Sequence, residues 1–147
     1  MTFRSKVDRF YANFILIVGL IIGVATFLPL FFEEIRNEFV VFLILTTIYL
    51  IIMGLILWTV FSIKYVFSQD YLLVKGGPFR SRILYENIKK VLPTTSIFIG
   101  YRIMSARDGI EIFYENATLG SVKISPKNKE EFIAELKQRC PNLQYYQ

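Results

Sequence analysis

Two long apolar runs separated by a short acidic gap dominate the first half of the chain. Residues 14–32 and 39–63 contain no charged side chain, whereas Glu33, Glu34 and Glu38 lie between them. A helix that crosses the hydrocarbon core of a bilayer needs about 20 apolar residues at roughly 1.5 Å each, and both runs reach that length. We therefore predict a transmembrane hairpin over residues 11–63, with helices at about 12–32 and 39–63 and an external turn at 33–38.

From residue 64 onward the pattern changes to short alternating runs that are broken by turn residues. Alternation of apolar and polar side chains is typical of half-buried strands, and a Gly-Gly pair between two such runs is typical of a β-hairpin. Gly76 and Gly77 form such a pair. Strands are predicted near residues 65–67, 71–74, 79–84, 88–92, 102–104, 109–114 and 119–124.

The last predicted element is an amphipathic helix over about residues 125–139. Ser125 suits the N-cap and Pro126 suits the first helical position. One apolar stripe follows at i, i+4 and i+8, and its members are Phe132, Leu136 and Cys140. Short antiparallel strands followed by one such helix favour a small barrel or sandwich that the helix closes.

The distribution of charge predicts which side of the membrane each segment occupies. The chain has a net charge of +5, and the basic residues that flank the apolar runs are Arg4, Lys6, Arg9, Lys64 and Lys75, whereas the gap contains only Arg36. Lysine and arginine accumulate on the cytoplasmic side of membrane proteins. Residues 1–10 are therefore predicted to be a cytoplasmic flank, and 64–147 a cytoplasmic domain, of a multi-pass protein of the cell membrane. Tyr11 and either Trp58 or Tyr65 are suited to anchor the helix ends at the interface.

Small residues in the apolar runs indicate a close helix–helix contact. Gly19 and Gly23 have the G-x-x-x-G spacing that lets another backbone approach. The simpler interpretation is packing against the second helix of the same hairpin near Gly54. The alternative is self-association of two chains through the same glycines.

Residue types that carry catalysis are scarce. The chain has no histidine and one cysteine, and it contains neither a phosphate-binding G-x-x-x-x-G-K-[ST] motif nor a strand-linked G-x-G-x-x-G motif. Cys140 falls on the apolar stripe of the predicted helix and is expected to be a core residue. We expect no enzymatic activity, no cofactor, no metal site and no nucleic-acid partner.

The best candidate for binding is the basic hairpin that Lys75, Arg80 and Arg82 form around the Gly-Gly turn. A domain tethered to the bilayer holds these side chains close to lipid headgroups, and each basic residue at such a surface contributes about 1 kcal/mol with anionic lipid. The alternative interpretation is a solvated strand face whose charge only satisfies the orientation rule. The lipid bilayer is the predicted partner in either case.

Several short motifs resemble one family in their order and spacing. They are Gly77-Pro78-Phe79, Tyr85-Glu86-x-Ile88, Val91-x-Pro93-Thr94, Asp108-x-Ile110-Glu111-Ile112 and Ile124-Ser125-Pro126-Lys127. Together the motifs resemble those of the bacterial pleckstrin-homology-like membrane proteins, the YyaB-like PH-domain proteins, over essentially the whole chain. The chain departs from the family pattern at Ala106, where a serine is usual and where Ser105 comes one residue earlier.

The resemblance implies both a fold and a class of function. The fold is a two-helix transmembrane hairpin followed by a mainly-β PH-like domain, in which two antiparallel sheets are capped by a C-terminal helix. The implied function is a non-enzymatic interaction or scaffolding module that docks a protein or peptide and contacts anionic lipid. Self-immunity against a peptide bacteriocin is the alternative by analogy with other bacterial PH-like membrane proteins. Since a fold does not transmit its function, both remain expectations.

Overall fold

The computed structural model describes residues 1–32, 39–96, 98–116, 120–140 and 143–145. The predicted external turn at 33–38 lies outside the described residues. Helix α1 is Arg9–Phe27, and it passes into a 3₁₀ turn at Leu28–Phe31 that contains Pro29. Helix α2 is Phe39–Phe61. Both α2 and the combined segment Arg9–Phe31 are long and apolar enough to cross a membrane.

Helix α1 begins at Arg9, directly after the N-cap residue Asp8. The Asp8 carboxylate accepts a hydrogen bond from the Tyr11 backbone N–H at 2.8 Å, which satisfies one of the free donors of the first turn. The same carboxylate accepts a bond from the Arg107 backbone N–H at 2.7 Å. Asp8 therefore ties the start of α1 to a loop of the following domain.

The β-rich part contains a four-stranded and a five-stranded sheet. The first sheet has the order β1-β2-β3-β4 with antiparallel neighbours, and its strands are Thr2–Arg4, Lys64–Phe67, Tyr71–Gly76 and Phe79–Leu84. The second sheet has the order β6-β8-β7-β5-β9. Its strands β5 to β9 are Ile88–Thr94, Arg102–Ile103, Gly109–Tyr114, Ser121–Ile124 and Gln144–Tyr145. Helix α3, Lys129–Arg139, follows β8.

One continuous core lies between the two sheets and α3. Tyr65, Leu72 and Val74 face inward from the first sheet, and Ile110 and Ile112 from the second, all fully buried. Helix α3 contributes the buried Phe132 ring. Its centroid lies 4.9 to 6.0 Å from the ring centroids of Phe3, Tyr65 and Phe67. The predicted fold class is confirmed: two apolar helices precede two sheets and a C-terminal helix. The short parallel pairs β6–β8 and β5–β9 extend a second sheet that is otherwise antiparallel.

The start of the C-terminal helix was predicted too early. Helix α3 begins at Lys129 with Asn128 at the N-cap, and Ser125 is buried at the end of β8. The backbone groups that a helix start would use are already occupied, because the Ser125 carbonyl accepts from Lys6 N–H at 2.8 Å and Lys127 N–H donates to the Arg4 carbonyl at 3.0 Å. The chain therefore stays extended until it has passed the N-terminal segment.

Two further features differ from the sequence expectation. No strand was predicted in the flank at residues 1–10, but Thr2–Arg4 form strand β1 and pair with β2. Tyr65, one of two alternatives for an interfacial anchor, is fully buried in the core. Trp58, the other alternative, lies on α2 and is 55% exposed.

Candidate functional site

Four basic side chains stand side by side across the first sheet. Arg4 of β1 pairs with Lys64 of β2, Lys64 pairs with Lys75 of β3, and Lys75 pairs with Arg80 of β4. Directly opposed residues on neighbouring strands share a face, and their Cβ atoms lie about 4.5 to 5.5 Å apart. We call Arg4, Lys64, Lys75 and Arg80 the cationic row.

The cationic row is electrostatically unfavourable when nothing binds to it. Like charges directly opposite each other destabilise a sheet. Within the described part of the chain, none of the four side chains forms an ion pair with an acidic residue; the ion pairs there involve other cations, among them Lys89 with Glu115 and Lys129 with Asp108. An anion placed against the row would relieve this repulsion and be attracted by all four charges.

The cationic row lines a cavity of about 460 Å³ between the first sheet and the end of α2. This volume is within the usual range for a small-ligand site. The remaining lining residues come from α2, the residue that follows it and the β3–β4 turn; they are Trp58, Phe61, Ser62, Gly77 and Pro78. We call this cavity the cationic pocket. Its walls combine charge from the sheet with an aromatic surface from the helix.

Two glycines allow close packing around the β3–β4 turn, Gly77 against α2 and Gly76 against β6. The Gly77 N–H donates to Ser62 Oγ at 2.6 Å, and Gly77 has a positive φ of 54°. A Cβ at Gly77 would lie 2.9 Å from Thr59 Oγ1 and 3.0 Å from Thr59 Cα. At Gly76, a Cβ would lie 2.8 Å from a methyl group of Ile103. A side chain at Gly77 would push the turn away from the helix and open the cationic pocket, whereas one at Gly76 would push β3 away from β6.

The predicted binding residues do not all lie in this pocket. Lys75 and Arg80 line it, whereas Arg82 pairs with Leu73 farther from the turn and places its guanidinium 5.6 Å from the centre of the Tyr71 ring. Arg4, which the sequence prediction missed, lines it too. Strand β1 shows in the sequence only as three residues, in which the apolar Phe3 stands between two polar side chains. Such a short pattern does not identify a strand by itself, so Arg4 could not be assigned to the sheet.

The glycines of the predicted helix contact occupy different environments. A Cβ at Gly19 would lie 2.9 Å from the Met53 methyl carbon, and one at Gly23 would lie 3.4 Å from the Tyr49 ring. Both glycines therefore face α2 of the same chain. The expected contact at Gly54 is not made there, because a Cβ at that position would meet no atom within 4 Å. Met53, the preceding residue, packs against α1 in its place.

An apolar groove runs between the two helices. It has a volume of about 380 Å³, and its lining is Val7, Ala12, Ile15, Leu16, Gly19, Leu20, Tyr49, Met53, Leu57 and Phe61. The absence of a side chain at Gly19 lets the methionine side chain lie across the first helix and form part of the groove. We call this cavity the interhelical groove.

A buried hydroxyl network joins the N-terminal segment to the domain. Tyr65 Oη donates to the Ile103 carbonyl at 2.8 Å and accepts from the Ser125 N–H at 3.0 Å. Ser105 Oγ donates to Ser5 Oγ at 2.8 Å, and Ser5 Oγ lies 2.9 Å from Ser125 Oγ. Ser105, next to the position of family departure, is therefore a structural member of this network. Burial raises the pKa of Tyr65 to about 12, so its hydroxyl stays protonated near neutral pH.

Cys140 and Glu111 lie outside these cavities and are constrained by their surroundings. Burial raises the pKa of the Cys140 thiol to about 11, because desolvation penalises the thiolate. Glu111 accepts a hydrogen bond from Ser121 and lies 3.9 Å from the buried Lys123 ammonium. The described residues contain no group of three or more His, Cys, Asp or Glu side chains that could hold a metal ion.

Comparison with known proteins agrees with the observed fold. The profile of the family described as "Bacterial PH domain" matches residues 63–140. "Uncharacterized protein YyaB" of Bacillus subtilis (strain 168) is 31% identical over 144 residues, which cover 97% of this chain and 95% of that protein. No solved structure gives a significant match. The resemblance predicted from short motifs is thus confirmed, and the chain belongs to the bacterial PH domain family.

Proposed function

We propose that this chain is a non-enzymatic interaction module that is anchored in the cell membrane and contacts anionic lipid through the cationic row. In this proposal α1 and α2 cross the bilayer, while residues 1–10 and 64–147 lie on the cytoplasmic side. The basic flanks on both sides of the hairpin support this orientation. The tether would also keep the PH-like surface within reach of a protein or peptide partner at the membrane.

The observation that carries the proposal is the position of the cationic row next to the end of α2. The Gly77–Ser62 hydrogen bond fixes the β3–β4 turn against the helix end, where a spanning helix meets the lipid headgroups. In this proposal the row therefore lies at headgroup depth. Electrostatic attraction to the surface acts over about one Debye length, roughly 8 to 10 Å, so this depth makes the charges effective.

Exposed apolar side chains around the same end of the domain support the same placement. Phe79, Phe98 and Ile99 are exposed by 55, 62 and 73%. The Phe98 ring contacts Phe14 of α1 at 5.9 Å between centroids. In water this surface would be costly, but at the bilayer interface it would be covered by lipid.

The proposal is tested on the full chain, because a fragment that starts at residue 64 would lack strand β1. The protein is reconstituted into nanodiscs of neutral lipid, with or without anionic lipid. Trp58, the single tryptophan, lines the cationic pocket and reports through its fluorescence. We expect anionic lipid to change the Trp58 emission. Removing three charges of the row should remove about 3 kcal/mol of attraction, a loss of roughly 100-fold in lipid affinity.

The test variant combines three substitutions, Lys64→Gln, Lys75→Gln and Arg80→Gln. The control variant carries the single substitution Arg82→Gln. Arg82 has the same charge and lies on the same strand as Arg80, but outside the pocket. The triple variant should no longer respond to anionic lipid, whereas Arg82→Gln should respond like the wild type. An identical response from the triple variant and the wild type would refute lipid contact by the row.

A further inference from the structure

We propose that the cationic pocket and the interhelical groove are two halves of one site that binds a single phosphate-bearing lipid. The headgroup occupies the pocket, and an acyl chain lies in the groove. This inference rests on the proposed function, since the groove must lie within the bilayer. It goes further because it assigns a defined site to one lipid, beyond a general attraction of the domain to a charged surface.

The two cavities meet at one side chain. Phe61 lines both the cationic pocket and the interhelical groove. Successive residues of an α-helix are rotated by about 100°, so Phe61 lies about 40° from Leu57 on one side and about 60° from Trp58 on the other. Leu57 lines the groove and Trp58 lines the pocket. A ligand that passes around the Phe61 ring therefore contacts both cavities.

The lining of each cavity matches one end of an amphiphile. The groove side chains are apolar except for the Tyr49 hydroxyl, and they extend along α2 from Tyr49 to Phe61. Twelve residues of helix rise by about 18 Å, parallel to the direction in which acyl chains extend in a bilayer. Neither a soluble anion nor an uncharged lipid would use both ends of this composite site.

The cationic row indicates the chemistry of the headgroup. Arginine forms two parallel hydrogen bonds to a phosphate, while lysine acts as a point charge. Arg4 and Arg80 stand at the two ends of the row, with Lys64 and Lys75 between them. A phosphate monoester carries about −1.5 to −2 charges near neutral pH, so it meets more of this positive charge than a singly charged diester can. We therefore assign the site to lipids with a terminal phosphate.

The site is tested by native mass spectrometry of the delipidated full chain in a neutral detergent. The probes are dioctanoyl phosphatidic acid, dioctanoyl phosphatidylcholine and glycerol 3-phosphate. We expect a one-to-one adduct with the first probe and at least tenfold weaker binding of the other two. Lys75→Gln combined with Arg80→Gln should weaken binding of the first probe by about 30-fold, whereas Arg82→Gln should leave it unchanged.

The groove is tested by filling it from α1. Leu16 and Leu20 line the groove and are 60 and 62% exposed, so phenylalanine can replace either of them without disturbing a packed core. Leu16→Phe and Leu20→Phe should each weaken dioctanoyl phosphatidic acid binding about tenfold. Ile17→Phe, on the neighbouring exposed face outside the groove, is the control and should bind like the wild type.

The possible outcomes separate this inference from the proposed function. If the pocket variants lose the adduct while both groove variants keep it, the composite site is wrong and headgroup contact by the row stands. If glycerol 3-phosphate binds as tightly as phosphatidic acid, the pocket takes a soluble phosphate and the lipid assignment is overturned. Equal binding of phosphatidic acid by the wild type and the pocket variants overturns both.

Discussion

The hydroxyl of Tyr65 holds strand β1, and with it one end of the cationic row, in the first sheet. Tyr65→Phe removes this hydroxyl and leaves the ring. The change takes the donor away from the Ile103 carbonyl and the acceptor away from the Ser125 N–H, both inside the domain. An unsatisfied buried polar group costs about 1 to 3 kcal/mol, so we expect a loss of about 3 kcal/mol.

Part of the loss falls on the N-terminal segment. Tyr65 Oη also lies 3.1 Å from Ser5 Oγ, and the Lys6 N–H donates to the Ser125 carbonyl. Local opening of this segment breaks these contacts, while the rest of the core can stay closed. The lost bond to Ser5 Oγ is worth about 1 kcal/mol, which corresponds to a roughly fivefold larger opening constant. Because Arg4 lies on β1, opening also removes one charge from the cationic row.

Hydrogen exchange with mass spectrometry on the full chain in nanodiscs measures this opening directly. Peptides that cover residues 1–8 should exchange roughly fivefold faster in Tyr65→Phe than in the wild type. Tyr101→Phe is the matched control, since its hydroxyl lies 3.0 Å from Ser81 Oγ on β4, at the opposite edge of the first sheet from β1, and its loss should leave residues 1–8 unchanged. Equal protection of residues 1–8 in Tyr65→Phe and wild type would refute the argument that this hydroxyl secures β1.

Further predictions concern the turn, the titration of the core, the cysteine and the orientation. Gly77→Ala should destabilise the domain by about 1 kcal/mol more than Gly120→Ala in thermal unfolding, because both have positive φ but only Gly77 would clash with Thr59. Equal losses would contradict the packing of the turn. The Tyr65 pKa is raised from 10 to about 12, so the folded state keeps a proton that the unfolded state loses, and stability should fall as pH rises from 10 to 12. Tyr65→Phe should show a shallower fall over that window, and parallel pH profiles would disprove the assignment. Cys140 is buried, so the native protein should resist N-ethylmaleimide near pH 7 and the denatured protein should react; rapid native labelling would contradict its burial. A C-terminal tag should be protected from impermeant reagents in intact cells, and external labelling would reverse the proposed orientation.

Much of the fold was predictable because it depends on local pattern. The two apolar helices follow from uninterrupted runs, in which a helix pairs the backbone groups between its first and last turns internally. Strands β3 and β4 follow from alternation around Gly76 and Gly77, a short-range signal. The stripe of Phe132 and Leu136 likewise indicated a helix that buries one face, and both residues are buried.

The candidate site was only partly predictable, because it depends on partners distant in the chain. Lys75 and Arg80 belong to one hairpin and could be paired from the sequence. Arg4 comes from a strand of three residues whose partner, Lys64, is sixty residues away, and no local pattern specifies that pairing. Arg82 has the same charge as Arg80 and lies two residues after it in the sequence, but the strand register places Arg82 beside Tyr71, outside the pocket.

The amino-acid sequence alone determined that two long apolar helices are followed by a sheet-rich domain, since uninterrupted apolar runs and strand alternation are patterns of neighbouring residues. Tertiary structure decided where α3 begins, because the backbone groups of Ser125 and Lys127 bond to the N-terminal segment and not to a helical turn. It also decided which cations stand together, because cross-strand register is a property of the whole sheet. The long-range pairing of β1 with β2 therefore completes the surface on which the proposed function depends.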